Sequence, residues 1–181
     1  EGSRIPEPVC KEESMREELE GKVMVVGDNV DTDQIYPGCY LALTDPKEIG
    51  KHCLEGVDKA IAGQFPAGGI IVAGRNFGCG SSREHAVIAL INMGAAAVLA
   101  DSFARIFFRN AVNLGLPPVI CRGISRRAKP GQTVRLDLKN GTVSILETGE
   151  VLPCEPLGDQ AVKILEAGGI KPLMRARFGK K

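Results

Sequence analysis

The period of the apolar positions changes several times along the chain, and each change predicts an element. Residues 1–21 are mostly polar and read as a leader; Ser14 with Glu17 three residues on has the form of a capping box for a short helix over Met15–Glu20. Residues 22–181 read as one domain. Lys22–Val26 is a β-branched run ended by Gly27-Asp28-Asn29, which predicts a strand and a turn. Asp31 to Tyr40 reads as a polar loop. Asp45-Pro46 then opens a helix that runs to about Cys53, with Pro46 at the first helical position. Gly63–Gly69 is a Gly/Pro-rich connection.

The next stretch alternates continuous apolar runs with helical patterns. Gly69–Ala73, Ala95–Ala100 and Pro118–Cys121 have the unbroken apolar character of strands buried on both faces. Between them, Arg83–Met93 carries Ala86, Val87, Ala89, Leu90 and Met93 at helical spacing and stops at Gly94. A second helix is expected from about Phe103 to Asn113, capped by Ser102 and closed by Gly115. Strand–helix–strand–helix–strand predicts parallel pairing with right-handed crossovers. After Pro130, Thr133–Leu138 and Thr142–Leu146 alternate around Lys139-Asn140-Gly141, a hairpin signal. Asp159–Ala167 is an amphipathic helix stopped by Gly168-Gly169, and Pro172–Phe178 adds a last turn or two. The fold class is α/β: a central, mostly parallel sheet flanked by helices, with a C-terminal hairpin region.

Composition narrows the function. The chain has 181 residues, enough for one sizeable core, and a formal net charge of +1, so no nucleic-acid footprint is expected. No apolar run approaches the roughly 18 residues of a membrane span, and no secretory signal pattern is visible. The six cysteines, Cys10, Cys39, Cys53, Cys79, Cys121 and Cys154, are scattered without a C-x-x-C pair. They read as small reduced hydrophobes, which fits the cytoplasm, and no metal site is expected in this chain.

The chemistry concentrates in Gly78-Cys79-Gly80-Ser81-Ser82-Arg83-Glu84-His85, between a buried strand and a helix. Ligands of α/β sheets bind at the C-terminal ends of the strands. The free N–H groups of a helix start favour anions, and glycines allow close approach. Two serines and an arginine add hydroxyls and a carboxylate fork. A small carboxylic acid suits such a place. Other readings stand beside this one. The third glycine of a dinucleotide loop and the Gly-Lys-Ser/Thr of a P-loop are absent. The Gly-x-Ser-x-Gly of a serine hydrolase is absent too. In purely structural roles, Ser82 is an N-cap, Ser81 a turn residue and His85 a capping or core-edge residue of the first helical turn.

Gly80-Ser81-Ser82-Arg83-Glu84-His85-Ala86 resembles the signature of the swivel domain of the aconitase superfamily. Asp31-Thr32-Asp33-Gln34-Ile35, Asn76-Phe77-Gly78-Cys79-Gly80 and Ser102-Phe103-Ala104-Arg105-Ile106-Phe107-Phe108-Arg109-Asn110 are similar to further motifs of that family. The likeness covers about Val23 to Leu173 and is strongest to the free-standing small subunits of 3-isopropylmalate dehydratases; those of homoaconitase and 2,3-dimethylmalate dehydratase are akin. It implies a swivelling β/β/α domain. It also implies a large-subunit partner in a heterodimer or heterotetramer, with self-association of the isolated chain left open. A [4Fe-4S] cluster is implied on that partner and none on this chain.

The implied reaction isomerises 2- and 3-isopropylmalate by dehydration and rehydration in leucine biosynthesis. Ser81 is implied as the base that takes the proton alpha to a carboxylate, with Ser82 and Arg83 holding the substrate. Asp33 matches the family's buried aspartate near the site, and Asn76, Gly78, Cys79 and Gly80 support the loop. Specificity is implied in Tyr40, Leu41, Ala42, Leu43 and Thr44. Aconitases and homoaconitases resemble each other in an arginine just after this Tyr/Trp-Leu pair. Here Ala42 and Leu43 stand in that place, which suits an apolar substituent. The small dicarboxylic acids so favoured are isopropylmalate, then dimethylmalate, then homocitrate. In the plainer alternative, Ala42 and Leu43 merely pack the loop down. A non-catalytic carboxylate-binding module is the reading from a different class.

Overall fold

Seven strands form one mixed sheet in the order β4-β3-β2-β1-β5-β6-β7. The computed structural model describes residues 18–179, so the helix expected at Ser14 lies outside the described residues. β1 (Glu18–Val25), β2 (Ile70–Ala73), β3 (Ala97–Ala100) and β4 (Pro118–Ile120) make the parallel half. β5 (Thr133–Asp137), β6 (Thr142–Ile145) and β7 (Glu150–Pro153) make an antiparallel meander. β1 joins the halves: Val23–Val25 run parallel to β2, whereas Glu18–Lys22 run antiparallel to β5. That second pairing is why the strand begins at Glu18 and not at Lys22. In it Leu19 packs inward, while Glu20 meets Arg135 at 3.0 Å on the solvent side.

Both faces of the parallel half are covered, which accounts for its unbroken apolar runs. Ile71 and Ala73 of β2 point to one core, with Val98 and Ala100 of β3. Ile70 and Val72 point to the other, with Ala97, Leu99 and Val119. The first core is roofed by α2 (Pro46–Lys51), α4 (His85–Met93) and α5 (Arg105–Leu114). The second is closed by α6 (Ile124–Arg127) and by the meander, whose Val134, Leu136, Val143 and Ile145 are fully buried. The sheet therefore curls until Glu155 N–H donates to the Ile120 carbonyl at 2.8 Å. α7 (Asp159–Glu166) and α8 (Ile170–Phe178) pack against the outer side of α5.

Several expectations are corrected. Asp31–Tyr40 is not a plain loop: α1 (Thr32–Ile35) forms behind a complete Asp31/Gln34 capping box, followed by a 3₁₀ turn at Gly38–Tyr40. α3 (Ile61–Gln64), α6 and β7 had no clear periodic signal, and α8 is longer than a turn or two. α2 ends at Lys51. α4 starts at His85 and not at Arg83, and Glu84 is its N-cap residue, so Ser82 caps nothing. Ser102 is not the cap of α5, which starts at Arg105 behind Ala104; its hydroxyl instead accepts the Asn76 N–H at 2.8 Å.

Candidate functional site

The segments leaving the C-terminal ends of β1, β2 and β3 converge, and backbone bonds stitch them together. Gly78 N–H donates to Val30 carbonyl at 2.8 Å and Thr32 N–H to Cys79 carbonyl at 2.8 Å. Phe77 N–H donates to Ser102 carbonyl at 3.1 Å and Ala104 N–H to Phe77 carbonyl at 3.0 Å. Parallel bridges Asp31–Cys79 and Phe77–Phe103 carry the sheet's pairing beyond its named strands. Gly78 makes this possible. Its φ is +80°, and a Cβ there would lie 2.2 Å from the Phe107 ring. Gly80, at φ +101°, turns the chain outward so that Ser81 and Ser82 are exposed.

Ser81 sits at the centre of a small polar network. Its N–H donates to Thr32 Oγ1 at 3.1 Å, and its Oγ lies 2.9 Å from that same oxygen. Arg83 Nε donates to Ser81 Oγ at 2.7 Å, while the other arm of the guanidinium bonds Asp33. Thr32 is 4% exposed, the one buried polar side chain among the described residues. It belongs to the Asp-Thr-Asp motif, but the sequence did not mark it as a site residue; its hydroxyl could be paired with Ser81 only once α1 and the glycine loop were seen to abut. The partners of Ser81 Oγ are therefore the side chains of Thr32 and Arg83. Asp33 departs from the buried aspartate expected: its side chain is 64% exposed, because α1 turns it outward towards Arg83.

The remaining expected residues fall into three places. The Ser82 carbonyl accepts from Asn110 Nδ2 at 3.3 Å, which ties the loop to α5. Asn76, at φ +56°, bonds Asn29 Oδ1 at 3.2 Å and is a strut between loops. Cys79 acts through its carbonyl. The expected specificity segment starts beside Arg83: a Cβ on Gly38 would lie 3.3 Å from Arg83 Nη1. Leu41, Ala42 and Thr44 are exposed, whereas Leu43 leans on the core and so partly packs the loop down. Tyr40 is turned to other work. Its hydroxyl donates to Glu55 Oε1 at 3.1 Å, and its ring stacks on His52 at 3.8 Å. The Glu55 carboxylate beside it pushes the Tyr40 phenol above its usual range. His85, the first residue of α4, stacks on Tyr36 with 6.4 Å between ring centres, as a core-edge residue would.

Among the described residues no three His, Cys, Asp or Glu side chains stand together as a metal site, and the described thiols do not fit an iron–sulfur cluster. No helix among them is long and apolar enough to cross a membrane. The arrangement offers an exposed hydroxyl that accepts from the Arg83 guanidinium and lies within hydrogen-bond distance of the Thr32 hydroxyl.

The aconitase C-terminal domain family matches residues 57–122. The chain is 51% identical to a 3-isopropylmalate dehydratase small subunit of Methanopyrus kandleri, over 89% of this chain and 95% of that one. It is 44% identical to an isopropylmalate/citramalate isomerase small subunit of Methanocaldococcus jannaschii, over 91% of this chain and 98% of the relative. The crystal structure of a 3-isopropylmalate dehydratase from that same species superposes with a TM-score of 0.85 at 44% identity, over 88% of this chain and 95% of that one.

Proposed function

Because the chain belongs to the 3-isopropylmalate dehydratase small-subunit family, a family of hydro-lyase subunits, we propose that it supplies the proton-abstracting serine and the substrate-selecting loop of an isopropylmalate isomerase. The small-subunit relationship implies a large-subunit partner. In this reading the [4Fe-4S] cluster belongs to that partner, and so does the departure of the substrate hydroxyl; no donor set among the described residues fits a cluster.

The observation that carries the reading is the environment of Ser81 Oγ. A serine hydroxyl is a poor base, so its alkoxide needs donors already in place. An alkoxide has no hydrogen left to give. Thr32 must then donate its O–H to Ser81 Oγ, Arg83 donates its Nε–H, and Ser81 N–H donates back to Thr32 Oγ1. The three hydrogens are compatible: two point at Ser81 Oγ and the third at Thr32 Oγ1. Ser81 removes a proton from the carbon alpha to a carboxylate, and an alkene forms as the neighbouring hydroxyl leaves. Returning the proton as water adds back with the opposite regiochemistry gives the isomer. Arg83, with Asp33 anchoring one arm, and Ser82 hold the substrate carboxylate near Ser81. Leu41 and Ala42 meet its apolar substituent.

The test is co-expression with the large subunit, anaerobic cluster reconstitution, and turnover on isopropylmalate, citramalate, dimethylmalate and homoaconitate. Ser81→Ala should leave assembly intact and remove turnover. Near-normal turnover in an assembled Ser81→Ala complex would withdraw Ser81 as the base. Assembly without any turnover in the wild type would favour the non-catalytic carboxylate-binding module.

A further inference from the structure

Tyr40, from the 3₁₀ turn before α2, closes on His52 and Glu55, which follow α2. Tyr40 Oη donates to Glu55 Oε1 at 3.1 Å, and Glu55 Oε2 lies 2.7 Å from His52 Nδ1. The Tyr40 and His52 rings stack at 3.8 Å with 13° between their planes. The group is sheltered: the His52 and Glu55 side chains are 28% and 18% exposed. The backbone of Tyr40 is held as well. Its carbonyl accepts Tyr36 Oη at 2.8 Å and Leu43 N–H at 3.0 Å. Leu43 in turn rests on the core, so Leu41-Ala42 form a two-residue exposed tip between two anchored residues. The 3₁₀ turn that leads into the tip runs beside Arg83: a Cβ on Gly38 would lie 3.3 Å from Arg83 Nη1.

We infer that the Tyr40–Glu55–His52 clamp is a positioning device for substrate selection. It holds the Leu41-Ala42 tip at a fixed distance from Arg83 and so sets the room left for the substituent of the bound acid. The inference rests on the functional reading above and extends it to residues that need not touch substrate. Glu55 is the keystone, since each of its oxygens holds a different ring. Removing it frees Tyr40 to turn and the tip to shift, while Ser81, Thr32 and Arg83 keep their bonds. Discrimination between isopropyl and methyl substituents then falls more than the rate of the chemical step.

The reconstituted complex provides the test, with kcat and KM measured for isopropylmalate and for citramalate, its methyl-bearing analogue. Glu55→Ala should raise KM for isopropylmalate and change the isopropylmalate-to-citramalate ratio of kcat/KM by about tenfold, the scale of an altered apolar pocket, with a smaller change in kcat. Glu55→Gln should rescue most of this, because an amide can still accept from Tyr40 and donate to His52. Tyr40→Phe, which deletes one hydroxyl, covers the case in which Glu55→Ala fails to assemble; it should change the ratio in the same direction. An unchanged ratio in assembled Glu55→Ala or Tyr40→Phe overturns the inference, as does a Glu55→Gln variant no better than Glu55→Ala. A wild-type complex that turns over neither acid overturns the functional reading itself, an outcome visible before any variant is compared.

Discussion

Thr32→Val deletes one oxygen and keeps the shape of a residue that sits beneath Ser81. That oxygen has two jobs: it accepts Ser81 N–H at 3.1 Å and lies 2.9 Å from Ser81 Oγ. The structural cost is small. Ser81 is exposed, so water can meet its N–H, and one lost hydrogen bond costs about 0.5–1.5 kcal/mol. The melting temperature should fall by only a few degrees, at roughly 2–4 °C per kcal/mol for a domain of this size. The catalytic cost is larger, because the hydroxyl is one of two donors that stabilise a charge present only once Ser81 has lost its proton. Loss of one such donor costs about 10²–10³ in kcat, or about 2.7–4 kcal/mol. Thr32 has no place against the substrate, so kcat and kcat/KM should fall together. Thr32→Ser keeps the oxygen and should recover most of the rate. The assay is steady-state isomerisation by the reconstituted complex, beside thermal melts of the same samples. If assembled Thr32→Val keeps kcat within about threefold of wild type, roughly 0.6 kcal/mol, Thr32 does not support an alkoxide on Ser81 and the hydrogen-bond argument for that alkoxide fails.

Ser81→Ala should leave the melting temperature of the complex nearly unchanged and lower kcat by at least about 10³-fold, since the proton acceptor itself is gone. Gly78→Ala should destabilise by about 2–5 kcal/mol in denaturant titration, from a positive φ and a Cβ driven into Phe107; a loss under 1 kcal/mol, less than about one core methylene, would mean that the loop relaxes freely. Ala42→Arg should move the kcat/KM ratio from isopropylmalate towards homoaconitate, because a cation at the tip is unpaired with an isopropyl group and paired with a further carboxylate; Leu43→Arg is the poorer choice, since Leu43 leans on the core. The His52 hydrogen bond, and after it that of Tyr40, holds the Glu55 carboxyl below its ordinary range against the opposing effect of burial. A depressed acid adds stability that is whole above the unfolded carboxylate value and is lost as pH falls through the lowered folded value. The gap in melting temperature between wild type and Glu55→Ala should therefore be full near neutrality and close on acidification through that window, whereas a gap independent of pH would argue against an ionised, hydrogen-bonded Glu55.

The elements legible in the sequence are those whose environment is uniform along their length. β2, β3 and β4 are buried on both faces and read as unbroken apolar runs. α4 and α7 have one apolar side against the core. β1 misled at its start because its two ends live differently, one inside the parallel half and the other paired with Arg135 and its neighbours at the surface. β7 was hidden for the opposite reason: of Glu150–Pro153 only Leu152 is buried, which leaves no period to detect. Helix starts misled wherever a serine stood near one. Ser82 and Ser102 have the right chemistry for caps, but each is held elsewhere, the Ser82 carbonyl by Asn110 of α5 and the Ser102 hydroxyl by the Asn76 N–H of the neighbouring loop. Motif likeness located Ser81 and Arg83; it could not reveal that Thr32 lies beneath Ser81 or that Tyr40 faces Glu55, because both depend on contacts between distant parts of the chain.

The proposed role of Ser81 as a base requires an exposed serine to be held in place, and those contacts hold its loop. A residue on a free loop moves over distances larger than the tenths of an ångström that proton transfer tolerates. Ser81 is on a loop, but the loop is not free. The bridges Asp31–Cys79 and Phe77–Phe103 extend parallel pairing past the ends of β1, β2 and β3, so the sheet's rigidity continues to within two residues of Ser81. From the other side, Asn110 of α5 holds the Ser82 carbonyl, and Phe107 of the same helix fills the space that Gly78 leaves open. The side chains of Ser81 and Ser82 project beyond this stitched frame, with Arg83 beside them. Precision comes from the frame and access from the short projection, which is the combination the proposed base needs.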